Sequence, residues 1–135
     1  MEPVVHFELP AEDRERMAAF YGSVFGWQTE LLGPEMGSYT VVTTTESEGS
    51  RPTTPGAING GFFLRTSDSA SQAPSVVIAV ADVQASLDAV AAAGGTVAGP
   101  PQEIPGVGLY GSFHDTEGNR MSVLQPLPPG SAGTS

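Results

Sequence analysis

The stretch VVHFELPAEDRERMAAFYGSVFGW, from Val4 to Trp27, decides the fold. Val5, Phe7 and Leu9 alternate with Val4, His6 and Glu8, so the first set forms a wholly apolar strand face and the second presents His6 beside Glu8. Pro10 carries no N–H for a ladder and is read as the end of this strand. Glu12, Asp13 and Glu15 suit a helix N-terminus, where negative charge is favoured. Met17, Phe20, Tyr21, Val24 and Phe25 then recur at helical spacing as an apolar stripe. Gly26 is the expected stop and Trp27 the anchor of the next strand.

Outward from that stretch, Gln28–Leu32 and Ser38–Thr45 have strand composition, separated by a turn containing Gly33, Pro34 and Gly37. Glu46–Pro55 reads as an exposed polar loop. A further strand is expected over Ala57–Thr66. Asn59, Gly60 and Gly61 interrupt it, which favours a bulge over a close approach of ligand or backbone. After a Ser/Ala/Gln linker the order repeats. Ser75–Val80 is a strand, Asp82 a helix cap, and Val83, Leu87, Val90 and Ala91 a stripe closed by Gly94 and Gly95. Thr96–Ala98 and Glu103–Pro105 are short extended pieces. Gly108–His114 and Arg120–Gln125 form a hairpin around the turn Asp115–Asn119, with Gly118 or Asn119 at positive φ.

The repeat divides the chain into a first module over 1–66, a linker over 67–74, a second module over 75–126 and a disordered tail over 127–135. Each module has one helix to cover one face of its sheet, so the other face must close against the other module. Two such sheets predict an α+β protein with an open, cup-shaped β-barrel, a shape suited to a small organic ligand.

Composition narrows the function. A chain of 135 residues suits one domain or two interdependent halves. Without cysteine there is no disulfide, thiolate metal site or cysteine nucleophile. A formal charge of −10, with five arginines and no lysine, argues against nucleic acid and anionic membrane as partners. No signal peptide or membrane-spanning run is visible, which makes the cytoplasm the expected location. Nucleophile-elbow, P-loop and Rossmann signatures are absent. The segment GVGLYG, Gly106–Gly111, leads into a strand and offers no helix N-terminus to a phosphate.

Three segments, HFELPAEDRERMAAFYGSVFGW, VVIAVADVQASLDAVAAAGGTVAGPP and EIPGVGLYGSFHDTEGNRMSVLQP, resemble the vicinal oxygen chelate superfamily. That superfamily includes glyoxalase I, extradiol dioxygenases, fosfomycin-resistance enzymes and bleomycin-binding proteins. The resemblance implies paired βαβββ modules, and a homodimer is expected. It also implies where the family's divalent-metal ligands would fall. His6 matches the first. Ser75 stands where a second His opens the second module, and Ser122 where a carboxylate follows the Asp-x-x-Gly-Asn turn. The remaining ligand would lie near Asn59–Gly61, where no good donor stands. With one position of four filled, no metal cofactor is expected, because a divalent cation needs several ligands to offset its dehydration. A rearranged site built from His6, Glu8 and His114 is the weaker alternative, and His114 reads more simply as a solvated residue beside the turn.

Two functions follow. One is a metal-free binder of a small organic molecule. The other is an enzyme of the same superfamily, using His6 as acid or base oriented by Glu8, or a rearranged metal as Lewis acid. The predicted lining is His6, Glu8, Tyr110 and Ser112, with Ser75 and Ser122 near the floor.

Overall fold

A computed structural model describes residues 1–49, 51–68 and 71–127. All of the expected tail except Leu127, and part of the expected linker, lie outside these residues. The chain forms two compact units, one from Val5 to Ser75 and the other from Val76 onward together with Met1–Val4. It is an α+β fold in which each unit carries one helix and its own set of strands.

In the first unit, β1 (Val4–Ala11) leads into α1 (Arg14–Phe25). Strands β2 (Gln28–Leu31), β3 (Thr40–Thr43) and β6 (Asn59–Leu64) follow, and the order across the sheet is β2-β3-β6-β1. β1 and β6 run parallel, with His6 opposite Asn59 and Glu8 opposite Gly61. The polar segment between β3 and β6 is not wholly a loop, because β4 (Ser47–Glu48) and β5 (Arg51–Pro52) pair as a small separate ribbon.

Capping residues set the helix limits. Asp13 accepts from the Arg16 N–H at 3.0 Å, and Gly26 closes α1 in the left-handed region at φ 76°. Such an N-cap is worth about 1 kcal/mol. Two of the three residues of the expected apolar face of β1 meet the helix: Phe7 and Leu9, with Met17, Ala18, Tyr21 and Trp27, pack on the buried core of Ala11, Val42 and Phe62, while Val5 stays exposed. Tyr21 and Trp27 stack with their rings 4.6 Å apart and 8° from parallel.

Three expectations need correction here. Pro10 does not end β1, which continues to Ala11. The Ala11 carbonyl accepts from the Arg65 N–H on the β6 side. N–H and C=O of one residue point to the same side of a strand, so Pro10 faces away from β6 and its missing donor leaves that ladder intact. The Asn59–Gly61 run is not a bulge either, since the β1–β6 register is unbroken through it. Finally, the helical stripe is only partly used. Phe20, Val24 and Phe25 remain exposed at 56%, 55% and 62%, because the sheet-facing side is set by Met17, Ala18 and Tyr21.

The second unit repeats the plan. It comprises β7 (Ser75–Ala79), α2 (Val83–Ala92), β8 (Thr96–Val97), β9 (Gln102–Ile104), β10 (Gly108–His114) and β11 (Arg120–Pro126). Their sheet runs β7-β11-β10-β8, with β9 also on β10. Asp82 caps α2 by accepting from the Ala85 N–H at 3.0 Å. Val80, Val83, Leu87, Phe113 and Val123 form its buried core. Full burial of a side chain such as Leu87 is worth about 1.5–3 kcal/mol. β11 reaches one residue past the expected hairpin, and the Leu127 N–H donates to the Val107 carbonyl.

The hairpin register places Ser112 opposite Ser122, and the turn is closed by Asp115, with Gly118 at φ 83°. The Asn119 amide, with the Asn119 and Glu117 N–H groups, holds the Asp115 carboxyl below its ordinary value. Among the described residues, no helix is long and apolar enough to cross a membrane.

Candidate functional site

Strand parity sends His6 and Glu8 to the face of β1 away from α1. Glu8 is buried, and His6 is half-buried. The side chain that joins them is Tyr39. Its hydroxyl donates to Glu8 Oε2 at 3.2 Å and lies 3.3 Å from His6 Nε2. The result is one continuous Glu8–Tyr39–His6 chain. Burial pushes the His6 imidazole below its ordinary pKa of 6.5, and the Glu8 charge opposes that shift. His6 is therefore neutral near pH 7 and able to accept a proton.

Several local features hold Tyr39 in place. Arg14, from α1, donates through Nη1 to the carbonyls of Leu32, Ser38 and Tyr39 at 2.6, 2.8 and 3.4 Å. The Leu32 N–H donates to the Tyr39 carbonyl at 2.9 Å. Ser38 takes a left-handed backbone, φ 54°, which is uncommon for a residue with a side chain and turns the chain immediately before Tyr39.

The two glycines of β6 supply the space. A Cβ on Gly60 would meet the Phe7 carbonyl oxygen at 2.5 Å, and one on Gly61 would collide with the Tyr39 phenol. The glycines thus mark a close approach by side chain and backbone. The sequence reading counted Tyr39 only as part of the composition of the expected strand Ser38–Thr45, whereas β3 begins at Thr40 and Tyr39 stands just before it. The signal was nevertheless present, since it shares parity with Val41, which pairs with Gly61.

A second polar group lies in the other unit. On β10, Leu109 and Phe113 pack on the α2 core and Gly111 approaches Leu87, so Tyr110, Ser112 and His114 point the other way. The Tyr110 hydroxyl is 2.6 Å from Ser122 Oγ, and Ser112 Oγ is 3.5 Å from it. Arg120 Nη2 donates to Ser112 Oγ at 3.3 Å. Ser122 is fully buried. Arg120, also missed from sequence, stands two residues before Ser122 on the same strand face. The arrangement is a hydroxyl cluster with one cation at its edge, suited to hydrogen-bonding a polar or anionic group.

The other sequence candidates have plainer surroundings. Ser75 is buried at the start of β7. Asn59 is buried and structural: its Oδ1 accepts from the Thr44 N–H at 2.8 Å, and its Nδ2 donates to Ser47 Oγ at 2.9 Å. An open polar cleft of about 500 Å³ adjoins that loop, lined in part by Gln28, Thr43, Thr44 and Ser47. The Thr44 and Ser47 hydroxyls are already engaged with the Ile58 and Thr45 carbonyls, so few groups converge on it.

The residues present do not fit the family's divalent cation. Among the described residues, no three His, Cys, Asp or Glu side chains converge. At the four inherited positions stand His6, Ser75, Ser122 and the Asn59–Gly61 run, whose Asn59 is engaged elsewhere and whose Gly61 lies under Tyr39. Neutral hydroxyls and a single imidazole are a poor donor set for a divalent ion.

The chain is thus built from two α+β units, each with one helix and a strand-borne polar cluster on the face away from it. Residues 4–123 match the family model of the Glyoxalase/Bleomycin resistance protein/Dioxygenase superfamily, and the chain is a member of that superfamily. A glyoxylase-like domain-containing protein from Didymella fabae is 32% identical over 119 residues, covering 86% of this chain and 88% of its own. Among solved structures, methylmalonyl-CoA epimerase from Mycobacterium tuberculosis is similar with a TM-score of 0.63 at 14% identity, covering 93% of this chain and 88% of its own. A variant of the Streptomyces coelicolor methylmalonyl-CoA epimerase in complex with 2-nitronate-propionyl-CoA gives 0.66 at 17% identity, covering 93% and 98%. At such identities the likeness is one of fold.

Proposed function

We propose that this chain binds a small organic molecule through its side chains alone, without the divalent metal that the superfamily's enzymes use. The observation that carries this reading is the pairing of Tyr39 with Gly61. The resemblance puts the superfamily's remaining ligand near Asn59–Gly61, and there Gly61 has no side chain and a phenol within hydrogen-bond reach of both His6 and Glu8 fills the space. His6 and Glu8 are the proposed binding residues of the first unit, and Tyr110, Ser112 and Ser122 those of the second, with Ser75 kept as a candidate at the start of β7.

The Glu8–Tyr39–His6 chain also favours a second reading, an enzyme that uses His6 as a metal-free general base. Turnover would separate the two. The same picture keeps the expectation of a homodimer, measured by light scattering on purified protein, and of a cytoplasmic location.

The test has two parts. Metal analysis of protein purified without chelator should find no stoichiometric Zn, Ni, Fe or Mn. About one equivalent per chain, lost in His6→Ala, overturns the proposal. A thermal-shift panel of small organic acids, amides and acyl-CoA thioesters is then run on chelator-treated protein. The thioesters are included because the Streptomyces structure holds one. A ligand that raises the melting temperature in wild type and not in His6→Ala supports the reading. Stabilisation only after a divalent metal is added contradicts it.

A further inference from the structure

The Glu8–Tyr39–His6 chain has a direction. A carboxylate can only accept, and a phenol has one proton. Tyr39 donates that proton to Glu8 Oε2. Its oxygen can therefore only accept from His6, so the hydrogen between Tyr39 and His6 belongs to Nε2. In a neutral imidazole the other nitrogen, Nδ1, is then the acceptor. Among the described residues the hydrogen bond given for His6 runs through Nε2, and the side chain is only half-buried, which leaves Nδ1 as the nitrogen a ligand would meet.

We infer that Tyr39 is a positioning residue: it fixes His6 as the Nε2–H tautomer and presents Nδ1 as an acceptor to whatever binds. The ligand group that meets His6 must therefore bring the proton. It is a hydroxyl, an amide N–H, or an acidic C–H next to a carbonyl, and not a bare carbonyl or carboxylate oxygen. This deepens the reading of His6 as a binding residue and rests on it. The rigid setting of Tyr39 gives the device its purpose. Arg14 clamps the segment from one side, Gly61 leaves room on the other, and the phenol has little freedom to reverse its bond.

The experiment is a long-range proton–nitrogen correlation spectrum of the imidazole rings, recorded on 15N-labelled, chelator-treated protein at about pH 8, where histidine is neutral. The His6 signals are those lost in His6→Gln. Wild type should show Nε2 protonated and Nδ1 bare. Tyr39→Phe should draw the two nitrogen shifts toward each other as the tautomers mix, with the melting curve still cooperative. An Nδ1–H form in wild type, or an unchanged spectrum in Tyr39→Phe, overturns the inference.

If Tyr39→Phe does not fold, Glu8→Gln replaces it. Its amide can donate to Tyr39 and so free the phenol to donate to His6, and the Nδ1–H form should grow. No growth is equally fatal. Zn²⁺ added to the wild-type sample tests the underlying reading separately. A shift of the His6 nitrogens would overturn the metal-free proposal while leaving the tautomer assignment standing.

Discussion

The Tyr39 ring lies over Gly61, in the space that a side chain at position 61 would need. Glu8 is the register partner of that glycine and also the acceptor for the Tyr39 hydroxyl, so an absent side chain on β6 and an acceptor on β1 fix one phenol together. Gly61→Ala adds a methyl group where the phenol sits. Overpacking of this kind costs about 1–3 kcal/mol. The expected result is a lower melting temperature in thermal denaturation. A melting temperature equal to wild type would mean that Tyr39 moves aside freely.

Arg14 holds Tyr39 from the other side. Arg14→Ala removes hydrogen bonds to three carbonyls, of which the Leu32 and Ser38 contacts are the short ones. Hydrogen bonds to charged groups are worth about 1.5–3 kcal/mol each and do not add fully, so a loss of about 2–3 kcal/mol is expected in chemical denaturation. Arg14→Lys should recover only part of it, because an ammonium lacks the planar fork.

Ser122 is fully buried and 2.6 Å from the Tyr110 hydroxyl. Ser122→Ala removes that partner at little change in volume. A loss of about 1–2 kcal/mol is expected from denaturant titration. Combined with Tyr110→Phe, the double variant should lose less than the sum of the singles, since both delete the same bond.

The His6 proton gives a pH signature. Burial holds its folded pKa below 6.5, so as pH falls the unfolded chain takes up the proton first. The contribution is fully present above the unfolded pKa. It is lost between there and the lower folded value, then levels off. Wild type should therefore lose stability relative to His6→Gln as pH falls below about 6.5, and a difference that stays constant from about pH 8 to 5 would contradict the burial argument.

Much of this molecule is written in local patterns. The placing of Phe7 and Leu9 opposite His6 and Glu8, the acidic start of α1, the cap Asp82, the stop at Gly26 and the turn at Asp115–Asn119 each act through neighbouring residues, and each is realised, whereas Val5 stays exposed. The errors arise where local chemistry leaves alternatives. Pro10 ends a strand only if the ladder needs its donor, and the pairing partner decides that. Consecutive glycines signal either a bulge or a close approach, and the Phe7 carbonyl and Tyr39 phenol decide for the second.

What the sequence determined alone is therefore the two-module α+β plan and the presence of His6 and Glu8 on one strand face, because periods of two and 3.6 residues are properties of the backbone itself. Only the tertiary structure decided that Tyr39 joins those two side chains, and that Arg120 joins the Tyr110, Ser112 and Ser122 hydroxyls. Tyr39 lies 31 residues from Glu8 and Arg14 lies 25 from Tyr39, and contacts across such separations depend on where the sheet and helix bring distant segments together.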